Sequence, residues 1–134
     1  MPNLQYSKEL LKHFRNPHNQ GSIDNPDGVG EVGNPVCGDM MKIYIKVGKN
    51  SQNEEYIKDI KFETLGCASA IATSSMVTDL ARGKTINEAL KITKADVSSK
   101  LGGLPPIKEH CSNLSEAGLK AAIKDYQSKK DKQL

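Results

Sequence analysis

The sequence predicts an α+β fold: a small antiparallel β-sheet of about three strands, with helices packed on one face. Two observations predict this class. Apolar residues alternate with polar ones between residues 41 and 64, whereas the second half of the chain carries apolar residues at helical spacing. Strands followed by helices are typical of an α+β layer arrangement. The 134 residues suit a single domain over residues 1–134, with a frayed N-terminus and a frayed Lys-rich tail.

Composition excludes several classes of protein. Hydrophobic residues make up 37% of the chain and charged residues 26%, which is typical of a globular domain. No window approaches the roughly 18 apolar residues of a membrane span, so no membrane partner is predicted. The net charge is only +3 and Trp is absent, which argues against a nucleic-acid partner. The N-terminus has no charged start followed by an apolar run, so the predicted location is cytoplasmic.

The first predicted element is a helix over Tyr6–Phe14, with Ser7 as a candidate cap and Asn16-Pro17 as its end. One face of this helix carries four larger apolar residues: Tyr6, Leu10, Leu11 and Phe14. A loop rich in Gly, Asn, Asp and Pro follows over residues 16–35, with one short strand predicted near Val29–Val32.

The sheet is predicted mainly from two further segments. Met41–Val47 alternates between apolar and polar residues, which is typical of a half-buried strand. A second strand is predicted over Tyr56–Thr64. Residues 48–51 between them carry a turn signal, and a connection this short favours antiparallel pairing.

The remaining elements are predicted to be helices. Ala68–Arg82 has helical spacing, with Gly83 suited to its C-terminal end. A capping box from Thr85 to Glu88 opens the next helix, and Asp96 is predicted to cap a short one after it. In the last helix four residues are predicted to face inward: Leu114, Leu119, Ile123 and Tyr126.

Three cysteines, Cys37, Cys67 and Cys111, each lie at a boundary between predicted elements. Their odd number excludes a complete disulfide framework. Cys67 and Cys111 lie near helix N-termini, where backbone N–H groups and the helix dipole favour the thiolate. Asp39 and His110 lie close to these cysteines along the chain and are candidates for further ligands of a shared metal site.

Spacing alone leaves several interpretations open. Cys37 and Cys67 are separated by 29 residues, and Cys67 and Cys111 by 43, so no local zinc knuckle is indicated. Buried thiols, a structural or regulatory zinc site, and a sulfur-transfer enzyme that uses Cys111 alone all remain alternatives. His13 and His18 are expected to be surface or hydrogen-bonded histidines, not ligands.

Three segments together resemble the IscU/NifU-type iron–sulfur scaffold proteins, and the resemblance extends from about residue 5 to residue 130. The adjacent His110 and Cys111, and the absence of an insert after Cys67, are similar to the IscU branch. The segments are Gly33-Asn34-Pro35-Val36-Cys37-Gly38-Asp39, Leu65-Gly66-Cys67-Ala68-Ser69-Ala70 and Leu104-Pro105-Pro106-Ile107-Lys108-Glu109-His110-Cys111-Ser112.

The resemblance implies an IscU/SufE-like fold and a scaffold, not an enzyme, on which [2Fe-2S] clusters are assembled and then transferred. The family's ligands for iron and the cluster fall on Cys37, Asp39, Cys67, His110 and Cys111, and zinc can occupy the same site. Whether Asp39 or His110 is the fourth ligand stays open. Cys111 is the implied acceptor of persulfide sulfur.

The resemblance also implies partners: a cysteine desulfurase, a ferredoxin-type reductant and acceptor apoproteins. A homodimer is one way to shield a cluster whose shell is incomplete. The segment Leu104, Pro105, Pro106, Ile107 and Lys108 resembles the motif recognised by DnaK-class chaperones and their J-type partners, although the family usually has Val in place of Ile107.

Overall fold

The computed structural model describes residues 7–34, 39–104 and 109–132. These residues form three strands and five helices in an α+β arrangement, as predicted. The elements are α1 (Lys8–Arg15), β1 (Gly28–Asn34), β2 (Asp39–Lys49), β3 (Glu55–Leu65), α2 (Ala68–Ala81), α3 (Ile86–Leu90), α4 (Lys94–Lys100) and α5 (Glu109–Lys132). Within the described ranges, no helix is both long enough and apolar enough to span a membrane.

The sheet has the order β1-β2-β3, and both neighbouring pairs are antiparallel. Its register shifts between Lys46 and Val47 of β2, because Lys46 pairs with Asp59 of β3 whereas Val47 pairs with Ile57. The extra residue in β3 is therefore Lys58. Such a bulge changes the alternation of side chains, so Ile57 and Ile60 are both fully buried although three positions separate them.

The core lies between the sheet and the helices. Met41, Ile43 and Ile45 alternate along β2 and are fully buried, as the period-2 pattern predicts. Helix α5 packs across β1 and β2, while α2 packs on β3 and α1 packs on α2. The two long helices thus cover one face of the sheet, which confirms the predicted layer arrangement.

Helix α5 approaches β1 unusually closely. A Cβ atom added to Gly30 would lie 2.4 Å from both the Ala122 nitrogen and the Gly118 carbonyl oxygen. Gly28 is equally restricted, because its added Cβ would lie 2.3 Å from the Ala122 carbonyl oxygen. Real Cβ atoms do not pack this close to backbone. These two glycines therefore allow the helix and the strand to come into contact.

Most local predictions are confirmed, with boundaries that differ by one or two residues. The side chain of Ser7 caps α1, and Thr85 and Glu88 form the expected capping box of α3. The prediction for Asp96 is wrong. Thr93 is the N-cap of α4, and Asp96 is the third helical residue, whose carboxylate accepts a hydrogen bond from the Thr93 backbone N–H.

The buried face of α1 also differs from the prediction. Leu10 is fully buried, but Phe14 is 39% exposed and His13 is buried instead. The reason lies in α2, where the Ser75 hydroxyl is 2.7 Å from Nδ1 of His13. A buried polar side chain is tolerated when it has a hydrogen-bond partner, and a sequence pattern cannot reveal that partner. Tyr6 lies outside the described residues.

The Lys-rich tail forms the last turns of helix α5. Helix α5 continues to Lys132. The Lys130 amino group lies 2.8 Å from a Glu55 carboxylate oxygen at the start of β3, and Lys129 pairs with Asp125 one turn earlier. Both lysines are half exposed, so each ion pair contributes little individually to stability.

Candidate functional site

The structure describes the predicted site residues to different extents. Cys37 lies outside the described residues. Asp39 is the first residue of β2 and pairs with Asn34 of β1, while His110 and Cys111 are the second and third residues of α5. For these three residues only the backbone position is described. Cys67 is described completely, as the N-cap of α2.

The pairing of β2 with β3 brings Asp39 and Cys67 to one end of the sheet. Met40 pairs with Leu65, so the start of β2 lies beside the end of β3. Asp39 directly precedes Met40, and Cys67 follows Leu65 by two residues. Two candidate ligands from distant parts of the sequence are therefore neighbours because of the strand register.

Helix α5 leads to the same end of the sheet. Tyr126 lies against Gly28 at the start of β1, whereas Gly118 lies against Val32 near its end. The helix therefore runs antiparallel to β1. Its first residue, Glu109, lies nine positions before Gly118, about 13.5 Å further along at the rise of an α-helix, beyond the point where β1 ends and β2 begins. The backbone positions of His110 and Cys111 thus lie towards the end of the sheet that holds Asp39 and Cys67.

Cys67 has an extended backbone, with φ −84° and ψ −177°, directly before the first helical residue. Its carbonyl oxygen accepts a hydrogen bond from the Ile71 N–H at 3.2 Å, which begins the helical ladder. The side chain is half-buried, and the first turn of α2 has no acidic residue. Cys67 thus lies at the positive end of the α2 dipole, a kind of position that in general favours a thiolate.

The surface around this end combines apolar and charged side chains. Leu65, two residues before Cys67, is 56% exposed, and Leu104 at the edge of the chaperone-like segment is half-buried. Pro105, Pro106, Ile107 and Lys108 lie outside the described residues. A shallow depression of about 310 Å³ opens nearby on the outer face of the sheet, between Lys42, Glu63 and Leu65.

A second group of polar side chains was not predicted as a site. His13 of α1, His18 of the following loop and Asp79 of α2 have ligand atoms that all lie within 4.8 Å of one another. Burial, and next the charge of His18, lower the pKa of His13 below its ordinary value of 6.5. The three residues span 66 positions of sequence, and no local motif connects them.

Comparison with known proteins finds extensive similarity to iron–sulfur scaffold proteins. A family described as the NifU-like N-terminal domain matches residues 5–133. The iron–sulfur cluster assembly scaffold protein IscU 1 of Archaeoglobus fulgidus is 59% identical over 95% of this chain and 80% of its own length. The scaffold protein IscU of Escherichia coli (strain K12) is 48% identical over 96% of this chain and 98% of its own.

A solved structure supports the fold. The N-terminal part of a NifU-like protein from Brucella abortus matches with a TM-score of 0.69, over 91% of this chain and 94% of that one, at 18% identity. These similarities lend no support to the alternative of a zinc-binding structural or regulatory protein. The near-complete family match and the high identity to two IscU proteins show that the chain belongs to the NifU-like N-terminal domain family, as a scaffold protein of the IscU type.

Proposed function

We infer that this protein is a scaffold on which iron–sulfur clusters are assembled before they pass to acceptor proteins. The main structural support is the position of Cys67 at the N-terminus of α2, at the end of the sheet that also holds the Asp39 backbone. The named function of the IscU relatives points the same way. In this role the protein accepts iron and sulfur and is not an enzyme.

We propose that the cargo is a [2Fe-2S] cluster held by Cys37, Cys67 and Cys111, with Asp39 or His110 as the fourth donor. Iron–sulfur clusters are usually held by four thiolates. A carboxylate oxygen or an imidazole nitrogen in place of the fourth thiolate gives a shell that exchanges more readily. A scaffold needs that property, because it has to release what it builds. The same donors suit Zn²⁺, so purified protein is expected to bind zinc there as well.

Cys111 is the proposed sulfur acceptor. The Cys111 thiolate attacks the outer sulfur of a desulfurase persulfide, a new S–S bond forms on Cys111, and the desulfurase thiolate leaves. Each transferred sulfur then needs two electrons to become sulfide, which a ferredoxin-type reductant would supply. Placement in the first turn of a 24-residue helix favours the thiolate form that this attack requires.

The end of the sheet that holds Cys67 is the proposed docking surface for the desulfurase. Leu65 exposes more than half of its surface two residues before Cys67, and an exposed apolar side chain of this kind is suited to a protein contact. Chaperone binding through Leu104–Lys108, acceptor apoproteins, a homodimer and a cytoplasmic location remain predictions.

Anaerobic reconstitution tests the function. The purified chain is incubated with ferrous iron, cysteine and a cysteine desulfurase, and cluster formation is followed by visible absorption and circular dichroism. A cluster that forms and then moves to an apo-ferredoxin supports the proposal. A folded chain that retains zinc and forms no cluster under these conditions contradicts it.

Replacing Asp39 by Ala is expected to lengthen the lifetime of the assembled cluster and to slow its transfer. An oxygen donor leaves iron more readily than a thiolate, so removing the oxygen removes an exchangeable position. A tenfold change in lifetime, equivalent to about 1.4 kcal/mol, is the expected scale. Glu31→Ala, which removes an exposed carboxylate from β1, is the matched control. A shorter-lived cluster in Asp39→Ala argues against this role.

Replacing Cys111 by Ser is expected to abolish sulfur transfer, because a hydroxyl cannot form a persulfide. The measurement is mass spectrometry of the chain after exposure to a desulfurase and cysteine, where each accepted sulfur adds one sulfur mass. Cys67→Ser is the control and should still accept sulfur on Cys111. Equal persulfide yields in the two variants would remove Cys111 from its proposed role.

A further inference from the structure

The His13–His18–Asp79 cluster lies where the C-terminal end of α1 and the following loop pack against α2. The two imidazole rings have centroids 4.8 Å apart and are tilted by 55°. Asp79 lies twelve residues after Cys67, about 18 Å further along α2 at the rise of an α-helix. The cluster is thus separate from the proposed assembly site.

The orientation of both imidazoles is set by an oxygen at Nδ1. The Nδ1 atom of His13 lies 2.7 Å from the Ser75 hydroxyl oxygen, and Nδ1 of His18 lies 2.6 Å from Asp79 Oδ2. The Ser75 hydroxyl also accepts a hydrogen bond at 2.9 Å from the His18 backbone N–H, which ties the loop to α2. Histidines that bind metals commonly have this arrangement, with one ring nitrogen held by an oxygen and the other directed to the ion.

The second nitrogen, Nε2, is available in both rings. Neither Nε2 atom has a hydrogen-bond partner within residues 7–34, 39–104 and 109–132. In those ranges Ser69 Oγ is the one side-chain nitrogen or oxygen that is both sealed from solvent and without a partner. His13 is 6% exposed as a residue, and neither of its ring nitrogens is among the sealed, unpartnered atoms of those ranges. The His18 side chain is 47% exposed.

Asp79 gives the cluster a carboxylate that is itself held in place. Its Oδ1 accepts a hydrogen bond from Asn19 Nδ2 at 2.9 Å, while Oδ2 faces His18. Oδ2 and His18 Nδ1 are too close to serve as two ligands of one ion, since tetrahedral ligands about 2.05 Å from zinc lie roughly 3.3 Å apart. The carboxylate is instead placed to orient His18 and to add negative charge beside a cation.

We propose that this cluster is a second metal site, in which His13 Nε2 and His18 Nε2 bind a divalent transition-metal ion and Asp79 positions His18. Imidazole ligands select ions such as Zn²⁺, Ni²⁺, Cu²⁺ and Fe²⁺, whereas Mg²⁺ and Ca²⁺ prefer oxygen ligands. Water completes the shell on the exposed side.

Zinc titration by calorimetry tests the proposal in the full chain carrying Cys37→Ser, Cys67→Ser and Cys111→Ser, which removes the thiolate site. One equivalent of Zn²⁺ should bind, and Mg²⁺ should not. Adding His18→Ala should weaken zinc binding at least tenfold, and Asp79→Asn should weaken it by roughly 10- to 100-fold as an outer-shell change. Asp125→Asn is the matched control, since its side chain on α5 is 34% exposed against 35% for Asp79, and it should leave binding unchanged.

A folded triple-serine chain that binds no zinc overturns the proposal, as does binding that His18→Ala leaves unchanged. If the triple-serine chain does not fold, cobalt titration of the intact chain decides the question. The intact chain should then bind two equivalents of Co²⁺ and His18→Ala one, and equal stoichiometries would refute the site.

Discussion

Replacing Cys67 by Ser should leave the protein folded and abolish stable cluster assembly. Ser is among the preferred N-cap residues, so α2 should keep its start and gain up to about 1 kcal/mol of stability. The thiolate is lost, and a serine hydroxyl is a poor ligand for iron at neutral pH. Removing a group that only hydrogen-bonds to a metal ligand lowers metal affinity by roughly 10- to 100-fold. Removing the ligand itself should cost more, so cluster occupancy after anaerobic reconstitution should fall by a larger factor.

The control for this variant lies in the same helical turn. Ser69 is fully buried, and its Oγ has no hydrogen-bond partner within the described ranges, so Ser69→Ala breaks no hydrogen bond. That variant should assemble clusters like the wild type. Thermal unfolding of both variants by circular dichroism separates loss of a ligand from loss of the fold. Cys67→Ser protein that is folded and reconstitutes at the wild-type level would exclude Cys67 as a ligand.

Replacing Gly30 by Ala should destabilise the protein more than replacing Gly48 by Ala. The added methyl group would lie 2.4 Å from backbone atoms of Gly118 and Ala122, and neither helix nor strand backbone can move aside as a side chain can. Overpacking of a core commonly costs about 1–3 kcal/mol of stability. Because the clash here is with backbone, we expect Gly30→Ala to lie at the upper end, at about 3 kcal/mol. Urea denaturation gives the free energy of unfolding directly.

Gly48→Ala in β2 is the matched control. Its added Cβ would lie 3.2 Å from the Tyr56 ring, a side chain able to shift by a few tenths of an ångström. Its effect should stay within about 1 kcal/mol, because fewer unfolded conformations offset the small strain. Gly30→Ala protein as stable as Gly48→Ala protein would show that α5 does not lie against β1 in the way described. A shifted α5 should also impair cluster assembly, because α5 carries Cys111.

Local sequence signals predicted those elements whose stability is mainly local. The capping box at Thr85 and the alternation along β2 are properties of a few neighbouring residues, and both are confirmed. Asp96 was predicted as the N-cap but is the third helical residue of the capping box, because an aspartate can serve in either position. The bulge at Lys58 was not predicted, since it depends on how two strands pair and not on either strand alone.

The candidate ligands illustrate the same division. That Cys67 precedes a helix is visible in the sequence, and so is the tendency of that position to favour a thiolate. Its closeness to Asp39 follows from the pairing of Met40 with Leu65, and the direction of α5 follows from the contacts of Tyr126 with Gly28 and of Gly118 with Val32. The resemblance to scaffold proteins indicates the function from the sequence alone, whereas the relative positions of the candidate ligands depend on these tertiary contacts.

The sequence by itself determined the α+β class, the strand and helix order and the chemical character of the cysteines, because each depends on residues only a few positions apart. Only the tertiary structure decided which end of the sheet gathers Asp39 and Cys67, that His13 is buried while Phe14 is exposed, and that His18 meets Asp79. The physical reason is common to all three. Strand register and helix packing bring together groups from distant segments, and a pattern within one segment carries no information about its partner.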